Sequence, residues 1–198
     1  MSTSRLESFS DGVIAVAITL LVLNIAVPHQ PLQLAHDLGH QWPTYAAYAT
    51  SFITIGIIWI NHHVVIGRLA RTDHSILMLN LVLLMTIGVI PFGTALFAQY
   101  LNETHGSHLA AGIYAGILLL MSVAFATLNW QILFRKPHLL GADLDLTQRR
   151  KIQARFMTGL VPYVVATGVA VASAYATLAI CATVAVFYAL PIASTPAS

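Results

Sequence analysis

Long apolar stretches separated by short polar segments dominate this chain. A helix that spans a membrane needs about 20 mostly apolar residues, and six stretches meet this requirement. They cover residues 6–26, 42–65, 75–98, 109–134, 152–172 and 175–190. Only small residues separate the fifth stretch from the sixth, so that boundary is the least well marked. We predict an all-α fold, an integral membrane bundle of six helices, with Pro91 and Pro162 kinking the third and the fifth.

The composition supports an integral membrane protein. Of 198 residues, 58% are hydrophobic and 8% are charged, and the mean hydropathy is +0.78. A soluble globular domain has about 25% charged residues, so this chain cannot cover itself with a polar surface outside a lipid bilayer. A net charge of only +2 gives no indication of nucleic-acid binding. We predict one six-span domain over residues 1–192, followed by a short disordered tail at 193–198.

The basic residues are distributed to one side of the membrane. If six spans alternate from an N-terminus inside the cell, all nine Lys and Arg residues fall on the inner side. They are Arg5, Arg68, Arg71, Arg135, Lys136, Arg149, Arg150, Lys151 and Arg155. Because cytoplasmic segments carry an excess of Lys and Arg, we predict a multi-pass protein of the cell membrane with both termini in the cytoplasm.

The sequence lacks the common motifs of enzymatic and metal chemistry. It contains no HExxH, GxSxG, GxxxxGK[ST] or CxxC. His62 and His63 are adjacent and point about 100° apart on a helix, so they do not form one ligand face. The single cysteine, Cys181, can form neither an internal disulfide nor a zinc cluster. We therefore predict neither an enzyme nor a protein that holds a metal or another cofactor.

The first span begins with charged residues and then becomes almost entirely apolar. Arg5, Glu7 and Asp11 precede the segment 12–23, in which Thr19 is the only polar side chain. An ionisable group at a membrane boundary is costly unless it is paired. Asp11 is therefore a candidate for a functional site.

Helical geometry divides the first span into two apolar faces. Val16, Leu20 and Leu23 fall within about 60° of one another at 100° per residue, and Thr19 borders this face. The opposite face holds Ile14, Ile18, Leu21 and Ile25. Two apolar faces are typical of a helix that is enclosed on all sides at the centre of a bundle. From periodicity alone, that interpretation is at least as good as a helix that lines a pore.

The pattern Arg5-xxx-Phe9-Ser10-Asp11-Gly12 stands at the head of this first span. It resembles the signature of the transmembrane protein 175 family of potassium channels, and the six spans and the chain length agree with that family. Members of the family lack a TVGYG filter, as this sequence does. The resemblance implies that the first helix lines a central pore, that a chain with one repeat forms a homotetramer, and that potassium is the permeant ion.

The resemblance also implies which residues meet the ion. A ring of bulky apolar side chains forms the constriction in this family, and the matching position here is Val16. Further rings one and two turns later correspond to Leu20 and Leu23, and Thr19 matches a threonine linked to selectivity. Relatives often carry Ile or Leu at the first ring, so Val16 implies a slightly wider constriction.

The polar residues of the signature are then expected to anchor the pore helix. Arg5, Ser10 and Asp11 would pair at the cytoplasmic ends of the first three spans and hold the helix in register. The candidate network comprises Arg5, Phe9, Ser10, Asp11, Gly12, His62, His63, His74 and Asn80.

Three functions remain to be weighed. The first is a passive potassium channel with a hydrophobic gate. The second is a proton-coupled secondary transporter in which Asp11 and the histidines bind protons, with hinges at Pro91 and Pro162. The third, a membrane enzyme, has no nucleophile and base to support it. Carriers place ionisable residues near the membrane midplane, whereas Asp11 is near the cytoplasmic edge, which favours the channel.

Overall fold

The computed structural model describes residues 3–28, 31–142 and 144–190. Within these ranges the chain is helical, and an isolated bridge between Leu69 and Leu140 is its one extended contact. The predicted all-α class is therefore confirmed. The predicted disordered tail at 193–198 lies outside the described residues.

The described residues form seven α-helices. They are α1 Thr3–Leu20, α2 Leu34–His40, α3 Trp42–Gly67, α4 His74–Tyr100, α5 Ser107–Trp130, α6 Leu146–Val169 and α7 Ala174–Ala189. A 3₁₀ turn, Leu21–Asn24, continues α1, and a π-helical turn, Gln131–Arg135, continues α5. Each predicted span corresponds to one helix, and the short α2 occupies a segment that the sequence analysis left as a connection.

The six main helices differ in how well they match a membrane. Four are long and apolar enough to cross one: Thr3–Asn24, Trp42–Gly67, His74–Tyr100 and Ser107–Arg135. Helix α7 is apolar but has only 16 residues, which is about 24 Å at 1.5 Å per residue. The first turns of α6 carry three consecutive basic residues, so its apolar part is also short. The pair α6 and α7 is thus shorter than a hydrocarbon core of about 30 Å.

Three side-chain caps set the starts of the later helices. Asp73 accepts a hydrogen bond from the Ile76 amide at 3.0 Å and begins α4. Asp145 forms a capping box with Gln148 at the start of α6. Ser173 accepts a hydrogen bond from the Ala176 amide at 3.2 Å and begins α7. A cap satisfies an amide that the helix itself leaves without a partner, so Ser173 supplies the boundary that hydrophobicity marked poorly.

The core lies around α4, which packs against α1, α3 and α5. Phe97 and Tyr114 stack with ring centroids 4.9 Å apart, and both are fully buried. The Ser51 hydroxyl lies 2.8 Å from that of Thr94 and 2.9 Å from that of Tyr114. Helix α4 continues through Pro91, so the predicted kink there stays a prediction. The same holds for Pro162 in α6.

Helix α1 lies at the edge of the chain and packs on α3 and α4 through one face. The buried residues of that face are Leu6, Ser10, Ile14, Ala17 and Leu21. The opposite face is exposed, so the interpretation of α1 as a helix enclosed on all sides is wrong for the single chain. The division into two faces is correct, because periodicity reports which residues share a face. It does not report whether the same chain covers both.

Candidate functional site

The exposed face of α1 carries the three predicted constriction residues. Val16 is 58% exposed, Leu20 43% and Leu23 74%. In a 3₁₀ turn, residues three apart eclipse each other, so the turn Leu21–Asn24 keeps Leu23 in line with Leu20. The three side chains therefore form one apolar row that the chain itself leaves uncovered.

Thr19 lies on the same exposed side of α1 and turns its hydroxyl hydrogen toward its own helix. Its Oγ1 lies 3.0 Å from the Ala15 carbonyl and 2.9 Å from the Val16 carbonyl. A hydroxyl has one hydrogen and two lone pairs, so donation to the backbone leaves the oxygen as an acceptor. Thr19 can therefore offer a partial negative charge on this face.

A buried chain of hydrogen bonds fixes the opposite face of α1 to α3 and α4. The Ser10 hydroxyl donates to the Leu6 carbonyl at 2.8 Å, and the Asn80 amide donates to Ser10 Oγ at 2.9 Å. Asn80 Oδ1 lies 2.8 Å from His62 Nε2. Ser10, His62 and Asn80 are all fully buried. The structure thus brings together three of the residues predicted for an anchoring network.

The Ser10 hydroxyl determines which atom donates and which accepts in each bond of this hydrogen-bonded series. Because the single hydroxyl hydrogen of Ser10 goes to Leu6, Ser10 Oγ accepts from the Asn80 amide nitrogen. Asn80 therefore presents its oxygen to His62, and His62 Nε2 carries the hydrogen. Nδ1 of His62 is then an acceptor, and it has no hydrogen-bond partner in the described part of the chain.

A second set of contacts joins α1 to α3 at more exposed positions. Trp59 Nε1 donates to Asp11 Oδ1 at 2.9 Å, and His63 Nδ1 lies 2.6 Å from Glu7 Oε1. Sequence reasoning did not propose Trp59 as a partner of Asp11, because tryptophan near a membrane boundary is usually an interface anchor. Its position one turn before His62 on α3 is the signal that would have suggested it.

The remaining signature residues lie on exposed surfaces. Arg5, Phe9 and Gly12 are exposed on α1. His74 is exposed at the first residue of α4, and no hydrogen bond joins it to Ser10, His62 or Asn80 within the described residues. The network that α1 makes within its own chain therefore excludes His74.

The C-terminal end of α1 has its own attachment, which the sequence analysis missed. Asn24 Nδ2 donates to the Pro91 carbonyl on α4 at 3.3 Å. Asn24 ends the 3₁₀ turn that carries Leu23. The row Val16, Leu20 and Leu23 is therefore carried by a segment that is fixed at both ends.

The basic loops meet at one end of the bundle. Lys136 Nζ lies 2.8 Å from Asp73 Oδ2, and the loops after α3 and α5 also touch through Leu69 and Leu140. The Lys136 ammonium and the Ile76 amide lower the pKa of Asp73 to about 2. His63 near the end of α3 contacts Glu7 near the start of α1, so the basic loops and the start of α1 lie at the same end of the bundle.

Two glycines next to the exposed row have open space around them that would accommodate a larger side chain. Gly12 on α1 and Gly88 on α4 line one groove together with Phe9, Val16 and Leu20. A Cβ added to either glycine would meet no atom within 4 Å. Packing inside this chain therefore does not explain glycine at these positions, whereas small residues permit close approach of another helix.

Comparisons with known proteins point in one direction. A family model described as endosomal/lysosomal potassium channel TMEM175 matches residues 5–91, which contain α1, α3 and most of α4. The chain is 44% identical over 188 residues to a protein named potassium channel from Streptomyces collinus, covering 94% of this chain and 91% of that one.

A solved structure and an animal protein extend the likeness. The crystal structure of a lysosomal potassium-selective channel TMEM175 homolog from Chamaesiphon minutus is similar with a TM-score of 0.83 and 36% identity. That likeness covers 94% of this chain and 96% of the other. A Gallus gallus protein named endosomal/lysosomal proton channel TMEM175 is 32% identical over 115 residues, 53% of this chain and 23% of its own.

Proposed function

Because the chain belongs to the endosomal/lysosomal potassium channel TMEM175 family, we propose that it conducts potassium passively through a pore lined by α1. It is a multi-pass membrane protein and a potassium channel. The observation that supports the position of the pore is the exposed apolar row on the helix that carries the family signature. Ion channels are not enzymes, and we propose that conduction needs no cofactor.

The proposed pore is a homotetramer with α1 of each copy at the axis. Four copies of Val16, Leu20 and Leu23 would form successive apolar rings, and a narrow apolar ring can gate by losing its water. The open space at Gly12 and Gly88 supports the close approach of a second copy beside this face. The ring of Val16 is proposed to be the constriction, slightly wider than a ring of Ile or Leu at that position would be.

Selectivity is proposed to come from the cost of dehydration. Potassium gives up hydration water more readily than sodium, so an apolar constriction favours it even without a cage of carbonyl oxygens. Thr19 stands between Val16 and Leu20 in the chain, and its Oγ1 is left as an acceptor. Four such oxygens would replace part of the water that the ion loses.

The buried network is proposed to hold the pore helix in its rotation and height. Ser10, Asn80 and His62 attach one end of α1, and Asn24 attaches the other to Pro91. A rotation of about 100° would move each side chain by one residue position around the helix, which would replace Val16 at the axis by a neighbour. Anchors at both ends oppose such a rotation.

From the basic residues we propose that the N-terminus lies in the cytoplasm and that α2 lies at the outer face of the membrane. The loop contacts between Asp73 and Lys136 and between Leu69 and Leu140 support one common end for the basic segments. Cytoplasmic segments are enriched in Lys and Arg.

Potassium flux into liposomes that contain the purified protein tests this function. We expect flux that follows the potassium gradient alone and persists when no proton gradient exists. The variant Val16→Ala should raise the flux, whereas Val165→Ala, an exposed position on α6, should leave it unchanged. Obligatory coupling of potassium to protons would instead indicate a secondary transporter and contradict the proposal.

A further inference from the structure

A cleft lies on the side of the bundle away from the proposed pore. Its volume is about 80 Å³, and it lies between α3, α5, α6 and α7. No residue of α1 lines it. A function of this cleft is therefore separate from the row of side chains on α1.

Three polar residues of the cleft lie toward the end of the bundle that carries the basic loops. Asn61 is on the last two turns of α3, Arg155 is on the first half of α6, and Tyr188 is the last residue but one of α7. Helices α3 and α7 end where α6 begins, so these three side chains share one membrane side. No acidic residue is among the described residues that line the cleft.

The rest of the wall is mainly apolar and aromatic, although Thr54, Ser122 and Tyr163 also line it. Phe125 and Phe156 lie with ring centroids 5.1 Å apart, and Ile57 and Val184 complete this part of the lining. Gly159 follows Phe156 by about one turn and leaves the side toward Tyr188 open. A Cβ added there would lie 3.2 Å from the Tyr188 hydroxyl oxygen. The cleft thus combines a cationic, hydrogen-bonding mouth with a mainly apolar interior.

The short apolar length of α6 places the Arg155 guanidinium near the lipid headgroups. From 156 to 169 the helix has 14 residues without a charged side chain, which is about 21 Å. A hydrocarbon core of about 30 Å cannot be spanned by that length, so the bilayer must thin beside α6 or Arg155 must extend toward the interface. In both cases an anionic group of the cytoplasmic leaflet lies within reach of Arg155.

We propose that this cleft binds one anionic phospholipid of the cytoplasmic leaflet. The phosphate binds the Arg155 guanidinium, whose planar set of donors matches phosphate oxygens. Asn61 and Tyr188 provide further hydrogen-bonding groups at the mouth. The first methylenes of an acyl chain enter between Phe125, Phe156 and Val184. The rest of the acyl chain lies along exposed apolar residues of α6, among them Val161 and Val165.

Anionic lipid is favoured over neutral lipid by the charge around the mouth. Arg149, Arg150 and Lys151 lie one to two turns before Arg155 on the same helix. Basic residues next to a membrane attract anionic lipids. A zwitterionic headgroup gains little from this field, because its own positive charge offsets its phosphate.

Thermal unfolding of the purified full-length protein in a neutral detergent tests the proposal. The probes are phosphatidylglycerol, phosphatidylcholine and inorganic phosphate, each added at increasing concentration. A ligand that binds only the folded state raises Tm with its concentration. We expect phosphatidylglycerol to raise Tm, and phosphatidylcholine and inorganic phosphate to leave it nearly unchanged. An equal rise with phosphatidylcholine would contradict the preference for anionic lipid, and an equal rise with phosphate would show a simple anion site.

Matched variants locate the binding site. Arg155→Gln should need about tenfold more phosphatidylglycerol for the same rise, the loss of one charge-assisted contact. Arg150→Gln removes the same charge from an exposed position of α6 that does not line the cleft. It loses only the general attraction of the basic segment, so it should need much less than tenfold more phosphatidylglycerol for the same rise. Equal responses of the two variants would overturn the assignment to Arg155.

Two further variants keep the test decisive if Arg155→Gln does not fold. Arg155→Lys keeps the charge and should keep part of the response, whereas Val184→Phe fills the apolar part and should weaken it. A folded Val184→Phe protein with the full response would contradict the acyl-chain position. Every readout is lipid binding and not ion flux, so the result does not depend on where the pore lies.

Discussion

Asn80 is the residue on which the buried anchor of α1 depends most. It accepts from His62 Nε2 and donates to Ser10 Oγ, at 2.8 and 2.9 Å, and all three side chains are fully buried. The variant Asn80→Ala removes both bonds and leaves the His62 N–H without a partner. Ser10 keeps its own bond to the Leu6 carbonyl.

The expected loss of stability follows from these two bonds. Hydrogen bonds between membrane helices contribute about 0.6 to 2 kcal/mol each, and a buried donor without a partner costs about 1–3 kcal/mol. We expect Asn80→Ala to lower the free energy of unfolding by about 2–4 kcal/mol. The measurement is denaturant unfolding in detergent micelles, followed by tryptophan fluorescence.

Asn129→Ala is a matched control on another helix pair. Asn129 is also a buried asparagine within an apolar span, and its amide donates to Gln153 Oε1 at 3.2 Å. It makes one longer bond and does not touch α1, so its loss should cost about 1 kcal/mol. Ser10→Ala and Asn80→Ala should also be non-additive, because they share one bond. Equal costs for Asn80→Ala and Asn129→Ala, or full additivity with Ser10→Ala, would refute the network.

Three further predictions follow from other contacts. Thr19→Val keeps the shape of the side chain but removes its oxygen, so potassium-over-sodium selectivity in liposome flux should fall, whereas Thr19→Ser should retain it; unchanged selectivity in Thr19→Val would exclude a role for that oxygen. Trp59→Phe removes the hydrogen bond to Asp11 and should lower Tm slightly, by the equivalent of about 1 kcal/mol, with no such effect in Trp130→Phe as the control. Contacts with Lys136 and Ile76 hold the pKa of Asp73 at about 2, below its ordinary 3.8, so its contribution to stability should be complete above pH 4 and be lost as the pH falls toward 2. Asp73→Asn should remove that part of the acid dependence, and an identical acid profile in both proteins would contradict the pairing.

The positions of the six main helices could be predicted because a membrane demands long apolar segments. Apolar length says less about helix ends. Ser173 begins α7 through a hydrogen bond to the backbone, and the 3₁₀ turn after Leu20 leaves no mark in hydropathy. The short α2 was missed because seven residues are too few for a clear periodic pattern.

The sequence indicated which polar side chains of the spans form hydrogen bonds between helices, but it did not indicate the partner of each. Ser10 and Asn80 are 70 residues apart, and polar residues in apolar helices are expected to find partners. Which partner each finds depends on how α1, α3 and α4 are rotated, and a single sequence does not fix those rotations. The exposure of Val16 in the single chain could not be predicted either. Apolar helix faces have the same sequence pattern whether they face a core, lipid or another copy of the chain.

Cadmium block of a cysteine at Val16 tests the central claim most directly. The chain has one cysteine, Cys181, and it is buried, so the native protein offers no competing exposed thiol in its described part. Four thiolates around an axis provide a site of the kind that soft metals prefer. We predict that Cd²⁺ blocks potassium flux through Val16→Cys, that a chelator restores it, and that Val165→Cys conducts without block. Unimpeded flux through Val16→Cys in the presence of Cd²⁺, or equal block of Val165→Cys, would contradict a pore lined by α1.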